Sequence, residues 1–464
     1  MTGMIFTVDS CIRIPLKYKK EEWCKSVLKH LTRKAESFSD SEQIEIKRYY
    51  DETATEILIP RFYPLKMHGH DSAGILHQGK DIDIGNHIKP RNVRQQSAVD
   101  WLIDNKCGVL CMGPGDGKTV IAIKAICELG KKAIIFVHTS TLYEQWADRF
   151  AEHTDLCRDQ IGMLRSDTYL RDLSKPIVLS TVQTYVSLVK KGKVFIDAAR
   201  SANFGIAIWD ECHTSVSAEQ FSRSSLHTYA PRTFGLSATP SRLDGNTDII
   251  NYHVKEVYEP EGESDTLGCK VIMIYFDFGL LPKYKYLIYQ LYREDSNRGR
   301  FNKGVYLSKM IKSESLMKYT KQIVKQISDN DRNALILSDR INLLDECAKV
   351  LPPGKYGRFM GDGKNGGKKK AESREEILLK QIILSTYQKG RDGFDVPRMD
   401  TIIFITPPSN LKQAAGRVQR ILEGKLQPIV IDLVDSGCKD MVDRAKYRIS
   451  FYEKAGWPIQ TKEL

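Results

Sequence analysis

The sequence predicts an α/β chain of two domains, each a parallel sheet flanked by helices, preceded by a small N-terminal α+β module. Three observations carry that prediction. From about residue 96 onward, short β-branched apolar runs alternate with amphipathic stretches. Near-continuous apolar runs suit strands buried on both faces, and the alternation suits a parallel sheet. The runs fall into two sets of five, so the pattern is doubled. Residues 1–88 lack this rhythm. The length agrees, because 464 residues exceed what one core of ordinary size holds.

In chain order, IFTVDSCIRIP (5–15) reads as a strand, KKEEWCKSVLKHLTRK (19–34) as a helix, and QIEIKRYYDETATEILIPRFYPL (43–65) as strand–turn–strand. HDSAGILHQGKDIDIGNHIKP (70–90) reads as a linker. The first set of strands is GVLCM (108–112), AIIFVHT (133–139), PIVLSTV (176–182), FGIAIWD (204–210) and TFGLSAT (233–239). The second is VIMIYFDF (271–278), NALILSD (333–339), QIILST (381–386), TIIFITP (401–407) and PIVIDLVD (428–435). The expected division is a module at 1–88, a first domain at 89–255 and a second at 256–464, with the connection inside 241–268. Residues 279–325 interrupt the second set with Lys, Arg, Tyr and Ser at helical spacing, as a basic helical insertion would. GDGKNGGKKK (361–370) reads as an exposed, mobile loop.

Bulk composition narrows the classes. Hydrophobic content is 41% and charged content 28%, as in soluble globular chains. The formal net charge of +12 favours an acidic partner such as nucleic acid, without choosing it over an acidic protein or a membrane surface. No apolar run approaches the ~18 residues of a membrane helix, and MTGMIFTVDSCIRIP lacks the layout of a signal peptide. Both point to the cytoplasm. Ten cysteines are scattered with no CxxC pair, so reduced thiols are expected and structural zinc is not.

The chemistry concentrates in CMGPGDGKTV, residues 111–120. It lies between a strand run and a helical run, the context a phosphate-binding loop requires. The candidate loop residues are Gly113, Pro114, Gly115, Asp116, Gly117, Lys118 and Thr119. Gly115 and Gly117 let backbone N–H groups turn inward. Lys118 can reach the β- and γ-phosphates, Thr119 can ligate Mg²⁺, and the helix N-terminus adds partial positive charge. Met112 stands where the strict pattern has a small residue. Farther on, the strand run in IWDECH (208–213) ends in two acids. Asp210 can hold Mg²⁺ through water, and Glu211 can polarise an attacking water. His213 alone reads as a packing histidine.

GPGDGKT, DECH and LSATPSR, in this order, resemble the motifs of superfamily 2 helicases and translocases. TYQKGRDGFDVP (386–397) resembles the family's motif V, QAAGRVQR (413–420) its motif VI, and RQQ (94–96) its adenine-reading glutamine. The resemblance covers about residues 90–435. It implies two RecA-like domains with ATP between them. It assigns adenine to Gln95, or to Gln96 if the register slips by one. Asp395 would contact ribose and Gln413 the γ-phosphate. Arg417 and Arg420, on one helix face, would stabilise charge as the γ-phosphate leaves. His213, Ser237 and Thr239 would couple hydrolysis to domain movement. Thr139, Thr181, Gln183, Ser338 and Thr386 would hold DNA phosphates, although residues of these types at strand ends commonly cap helices.

LSATPSRLDG, the DECH box, the QW of TLYEQWADRF, and GFDVP with GRVQR resemble one subgroup, the XPB-like, RecG-like and UvsW-like phage branch-migration helicases. That resemblance implies a monomeric, ATP-dependent translocase on double-stranded or branched DNA, acting in recombination, repair or replication. The N-terminal module and the basic insertion at 283–325, with Arg293, Arg298, Arg300 and Lys303 as surface candidates, would grip the duplex or wedge the branch point. A phage-encoded chain would work in the host cytoplasm. The alternatives are a transcript-release or RNA–DNA hybrid-displacing helicase, an ATP-switched binding protein, and a restriction-type translocase subunit. Glu211, Arg417 and Arg420 argue against the switch. No nuclease-like cluster of acids and lysine supports the last.

Overall fold

The computed structural model describes residues 6–35, 45–65, 72–73, 78–213, 218–239, 245–262, 266–278, 303–360, 373–391, 396–408 and 411–464. The chain forms two compact units, residues 1–264 and 265–464.

The first unit begins with the N-terminal module. Its strands are β1 (Thr7–Val8), β2 (Cys11–Pro15), β3 (Thr32–Ala35), β4 (Glu45–Arg48), β5 (Asp51–Glu52), β6 (Glu56–Pro60) and β7 (Ser72–Ala73). They form a sheet in the order β5-β6-β2-β1-β7 and a separate antiparallel pair, β3-β4. The run expected as one strand at 5–15 folds into two. Asp9 Oδ1 accepts from the Cys11 N–H at 3.1 Å and makes the turn between them. The helix α1 (Glu22–His30) stops four residues before the expected end, because Thr32–Arg33 already pair with Lys47–Arg48. Leu28, Leu31, Tyr49, Ile57 and Ile59 form the module's apolar centre.

Next come α2 (Val93–Asp104), β8 (Cys107–Cys111), α3 (Lys118–Leu129), β9 (Ala133–Val137), α4 (Ser140–His153), β10 (Ile161–Met163) and α5 (Tyr169–Ser174). They are followed by β11 (Ile177–Thr181), α6 (Val182–Lys190), α7 (Lys193–Ser201), β12 (Ile206–Trp209), α8 (Ala218–Leu226), β13 (Arg232–Ser237), α9 (Thr247–Val254) and β14 (Val257–Tyr258). Among the described residues the sheet has seven parallel strands in the order β10-β11-β9-β12-β13-β8-β14. The five apolar runs are its interior. The two edges, of three and two residues, were not read from sequence. β14 carries the sheet past residue 255, the end expected for this domain.

Residues 78–90 are not the loose linker expected. Lys80 N–H donates to Asn203 O at 2.8 Å and Ile82 N–H to Gly130 O at 3.0 Å. Ile84 is 6% exposed, and Ile82 and Ile88 pack on the same cluster as Val99, Ile126 and Phe150. Gly79, at φ +84, passes so near Gly205 that a Cβ would sit 2.2 Å from its Cα. The segment is a strap on the core, and its isoleucines explain why.

The module is joined to the same core. Ala218 of α8 and Ile249 of α9 belong to the module's apolar cluster. Phe62 N–H donates to Tyr252 O at 2.8 Å, and Arg33 Nη1 reaches Asp248 Oδ1 at 2.8 Å.

The second unit carries β15 (Lys270–Phe276), β16 (Ala334–Ser338), β17 (Tyr356–Phe359), β18 (Ile382–Thr386), β19 (Thr401–Phe404), β20 (Ile429–Asp435) and β21 (Ile459–Glu463). Among the described residues these form one parallel sheet, β17-β18-β16-β19-β20-β15-β21. Again the five runs form the interior and the edges are additions. Helices Lys303–Met310 and Glu314–Asp329 fall in the expected insertion. Residues 279–302, with Arg293, Arg298 and Arg300, and the 361–370 loop lie outside the described residues. A buried ion pair ties the last long helix to the sheet. Arg448 Nε and Nη2 donate to Asp432 at 2.6 and 3.0 Å, and the Tyr452 hydroxyl donates to the same carboxylate at 3.0 Å. The two parallel sheets with flanking helices are the two RecA-like domains expected.

Candidate nucleotide site

The first unit gathers the chemistry at the carboxyl edge of its sheet, where α/β sites form. β8 runs straight into the loop 112–117, and α3 begins at Lys118. Gly115 and Gly117 have φ of 90° and 87°, left-handed values that favour glycine. A Cβ on Gly117 would also meet Gln95 Nε2 at 2.8 Å. Gly117→Ala is therefore expected to lower ATP affinity by about tenfold, on the ~1–2 kcal/mol cost of a left-handed alanine. Equilibrium binding of a fluorescent ATP analogue measures it, and unchanged affinity would contradict the loop assignment.

Several motifs meet here through direct hydrogen bonds. The Met112 N–H donates to Ser237 O at 3.0 Å, the Cys212 N–H to Leu236 O at 3.0 Å, and the Asp210 N–H to Phe136 O at 2.8 Å. Lys118 Nζ donates to Met112 O at 3.0 Å and Gly113 O at 3.2 Å, and lies 3.8 Å from Glu211 Oε1. Glu211 has φ of 51°, a left-handed value at a non-glycine residue. Such strain persists where surrounding structure enforces it, and it gathers at functional sites. Asp210 is 6% exposed, and Trp146 Nε1 donates to its Oδ2 at 2.9 Å. Burial, with the neighbouring Glu211, raises the Asp210 carboxyl above the usual carboxylate range, while the indole hydrogen bond and Lys118 oppose the rise.

The donors fit Mg²⁺. The Thr119 hydroxyl, on the first turn of α3, and the Asp210 carboxylate would supply hard oxygen ligands, as that ion requires.

Gln95 and Gln96 separate clearly. Asn92 caps α2 by accepting the Gln95 N–H at 2.8 Å. The Gln95 carboxamide accepts from the Arg91 N–H at 2.9 Å and donates to Asp116 O at 2.8 Å. Gln96 turns away to Asp100, at 2.7 Å. Gln95 is thus part of the loop's support. Asp116, 4% exposed, folds back to accept the Gly113 N–H at 2.8 Å. Its carboxylate closes the loop on itself. Arg91 and Arg94, neither read from sequence, frame the loop. Arg91 donates to Gly115 O at 3.3 Å, and Arg94 lies 3.7 Å from Asp116 and donates to Gly262 O at 3.0 Å. Pro114 lies on the same loop, at the turn after Gly113.

His213 is 1% exposed, with Nδ1 3.3 Å from Cys212 Sγ. Ser237 donates to Thr239 O at 2.6 Å and accepts the Thr239 N–H at 3.2 Å, closing a tight turn after β13.

In the second unit, Asp395 lies outside the described residues, and only the backbone of Gln413 is described. The expectation that GRVQR puts Arg417 and Arg420 on one helix face is corrected. The helix Leu411–Ala415 ends first, Gly416–Val418 form a turn, and Gln419–Arg420 leave it. Gln419 explains the exit, since its O accepts the Leu267 N–H at 2.7 Å and its Nε2 donates to Leu267 O at 3.3 Å.

Three of the nucleic-acid candidates show the geometry of helix caps. Thr139 accepts the Leu142 N–H at 3.4 Å, Thr181 the Thr184 N–H at 3.1 Å, and Thr386 the Lys389 N–H at 3.4 Å. Ser338 is fully buried at the end of β16, and its hydroxyl accepts the Arg340 N–H at 3.0 Å. Gln183 is exposed. Lys303 is held by Asp339 Oδ2 at 3.0 Å rather than free on the surface.

The family model for the res subunit of type III restriction enzymes matches residues 87–242. Protein L396 of Acanthamoeba polyphaga mimivirus, named as an ATP-dependent RNA helicase, is 26% identical over 426 residues, covering 89% of this chain and 77% of its own. Helicase D10 of Escherichia phage T5 is 25% identical over 353 residues, 75% of this chain and 72% of its own. The structure of the ATP-dependent type ISP restriction–modification enzyme LlaBIII bound to DNA aligns with a TM-score of 0.51 at 16% identity, over 81% of this chain and 31% of that one.

Proposed function

We propose that this superfamily 2 helicase chain, which resembles the UvsW-like and XPB-like helicases, is an ATP-driven translocase that acts on branched DNA. The observation that carries the nucleotide half is the meeting of Lys118, Glu211 and Asp210 around one glycine-turned loop, with Lys118 and Glu211 3.8 Å apart.

In this reading the loop N–H groups and Lys118 bind the phosphates of ATP, and Thr119 and Asp210 hold Mg²⁺. The ion, when bound, neutralises charge on the β- and γ-phosphates. Glu211 orients the attacking water and takes its proton. Gln95 reads adenine from its place beside the loop. Arg417 and Arg420 supply positive charge as the γ-phosphate leaves, with Gln413 and Asp395 assisting at phosphate and ribose. His213, Ser237 and Thr239 pass the change from the site to β13 and its neighbours. Thr139, Thr181, Gln183 and Thr386 lie at helix starts, where backbone N–H groups hold phosphates without reading bases.

The charge of +12 supports an acidic partner such as nucleic acid, and the subgroup resemblance supports DNA that is branched, as in Holliday junction migration, fork regression or D-loop unwinding. The name of the mimivirus relative supports a second reading, displacement of RNA from a hybrid. Steady-state ATPase activity titrated with a four-way junction, a linear duplex and an RNA–DNA hybrid separates the two. The proposal expects half-maximal stimulation at the lowest concentration with the junction. Stimulation by the hybrid with an inert junction would overturn it.

A further inference from the structure

The carboxylate of Asp210 is held by a side chain that the motif reading leaves out of the chemistry. Trp146 lies on α4 and is 1% exposed. Its indole Nε1 donates to Asp210 Oδ2 at 2.9 Å. The ring is fixed in place by the apolar cluster that also contains Phe150, Ile135 and Ile208, so the donor has little freedom to turn away.

The choice of donor matters. An indole presents one N–H and no charge. A lysine or arginine in the same place would satisfy the oxygen and also cancel the charge a cation needs. With Oδ2 taken by the indole, rotation of the carboxylate is restrained. Carboxylates that ligate metals are commonly oriented by a hydrogen bond of this kind from the shell behind them.

We propose that Trp146 is a positioning residue for divalent-cation binding: its indole N–H orients the Asp210 carboxylate toward a Mg²⁺ bound with nucleotide. The inference rests on the proposed role of Asp210 as the metal-holding acid. The competing account is that a buried indole needs an acceptor and finds one in Asp210, with no consequence beyond stability.

The test uses the full chain with Trp146→Phe and Asp210→Asn. Mn²⁺ binding in the presence of ADP is read from the electron paramagnetic resonance signal of the free ion, beside metal-free ADP binding and the thermal midpoint. Trp146→Phe is expected to weaken Mn²⁺ binding by about 10-fold or more, the effect typical of losing an outer-shell partner, with metal-free ADP binding unchanged. Benzothienylalanine at position 146 keeps the ring's shape and lacks the N–H, so it is expected to weaken Mn²⁺ binding equally should the phenylalanine variant misfold. Unchanged Mn²⁺ affinity in the well-folded position-146 variants, with weakened affinity in Asp210→Asn, overturns the inference. Unchanged affinity in Asp210→Asn as well overturns the reading of Asp210 beneath it.

Discussion

Replacing Glu211 with Gln is expected to cut ATP turnover by about 10²- to 10⁴-fold, the usual contribution of a positioned general base, while ATP still binds. Gln keeps the size of the side chain and loses the ability to take a proton. The residue's backbone, at φ of 51°, is set by the sheet around it, with the flanking N–H groups of Asp210 and Cys212 bonded into β9 and β13. The substitution should therefore leave the loop's shape intact. Lys118→Ala acts on the same site from the other side. Lys118 bonds the loop carbonyls of Met112 and Gly113. Losing that cation should lower both ATP affinity and turnover, the latter by on the order of 10²- to 10³-fold. Phosphate release and nucleotide binding, measured separately, distinguish the two variants. If Glu211→Gln hydrolyses ATP normally, the assignment of the site is wrong.

The second large effect is expected in the N-terminal module. Ile57 is fully buried between the module's strands, in the cluster that includes Ala218 of α8 and Ile249 of α9. Ile57→Ala removes three methylene-sized groups from a packed site and should cost about 2–5 kcal/mol of stability, read by urea unfolding. The loss should appear in the unfolding of the first unit as a whole. α8 follows the DECH motif and α9 the SATPSR motif, so the module packs on the helices that leave both. Deleting residues 1–73, which spares the strap, would bare Ala218 and Ile249 and strip Arg33 from Asp248, so ATPase activity and junction processing should fall together. A deletion that spared the ATPase and lost only junction processing would show the module to be a separable DNA-binding attachment. A cost below about 1 kcal/mol for Ile57→Ala would argue against the shared core.

The interior of both sheets was legible because ten apolar runs recur with the same punctuation. The edge strands were not, since β10 and β14 span three and two residues, too few to show a period. The strap at 78–90 was misread for a related reason. Its isoleucines at 82, 84 and 88 are spaced by Asp, Gly, Asn and His, a pattern that looks like a polar linker until the core it covers is present. Arg417 and Arg420 have helical spacing, but Gly416 and the pairing of Gln419 with Leu267 end the helix before them. Spacing alone carries no information about that long-range contact. Within the site, the loop and the acids were legible from short local motifs. Their supports were less so. Asn92 carries the ordinary signal of a cap before a helix, whereas Arg94 and Trp146 act across the fold, on Asp116 and Asp210, at distances in sequence that no local pattern spans.

One measurement addresses ATP-driven work on a DNA branch point directly. A synthetic Holliday junction with homologous arms is incubated with the protein and ATP, beside a plain forked duplex and an RNA–DNA hybrid, with Lys118→Ala as control. Fast, ATP-dependent junction migration with slow fork unwinding, absent in Lys118→Ala, is the predicted result. Efficient hybrid displacement with an inert junction would contradict it and move the function to transcript release.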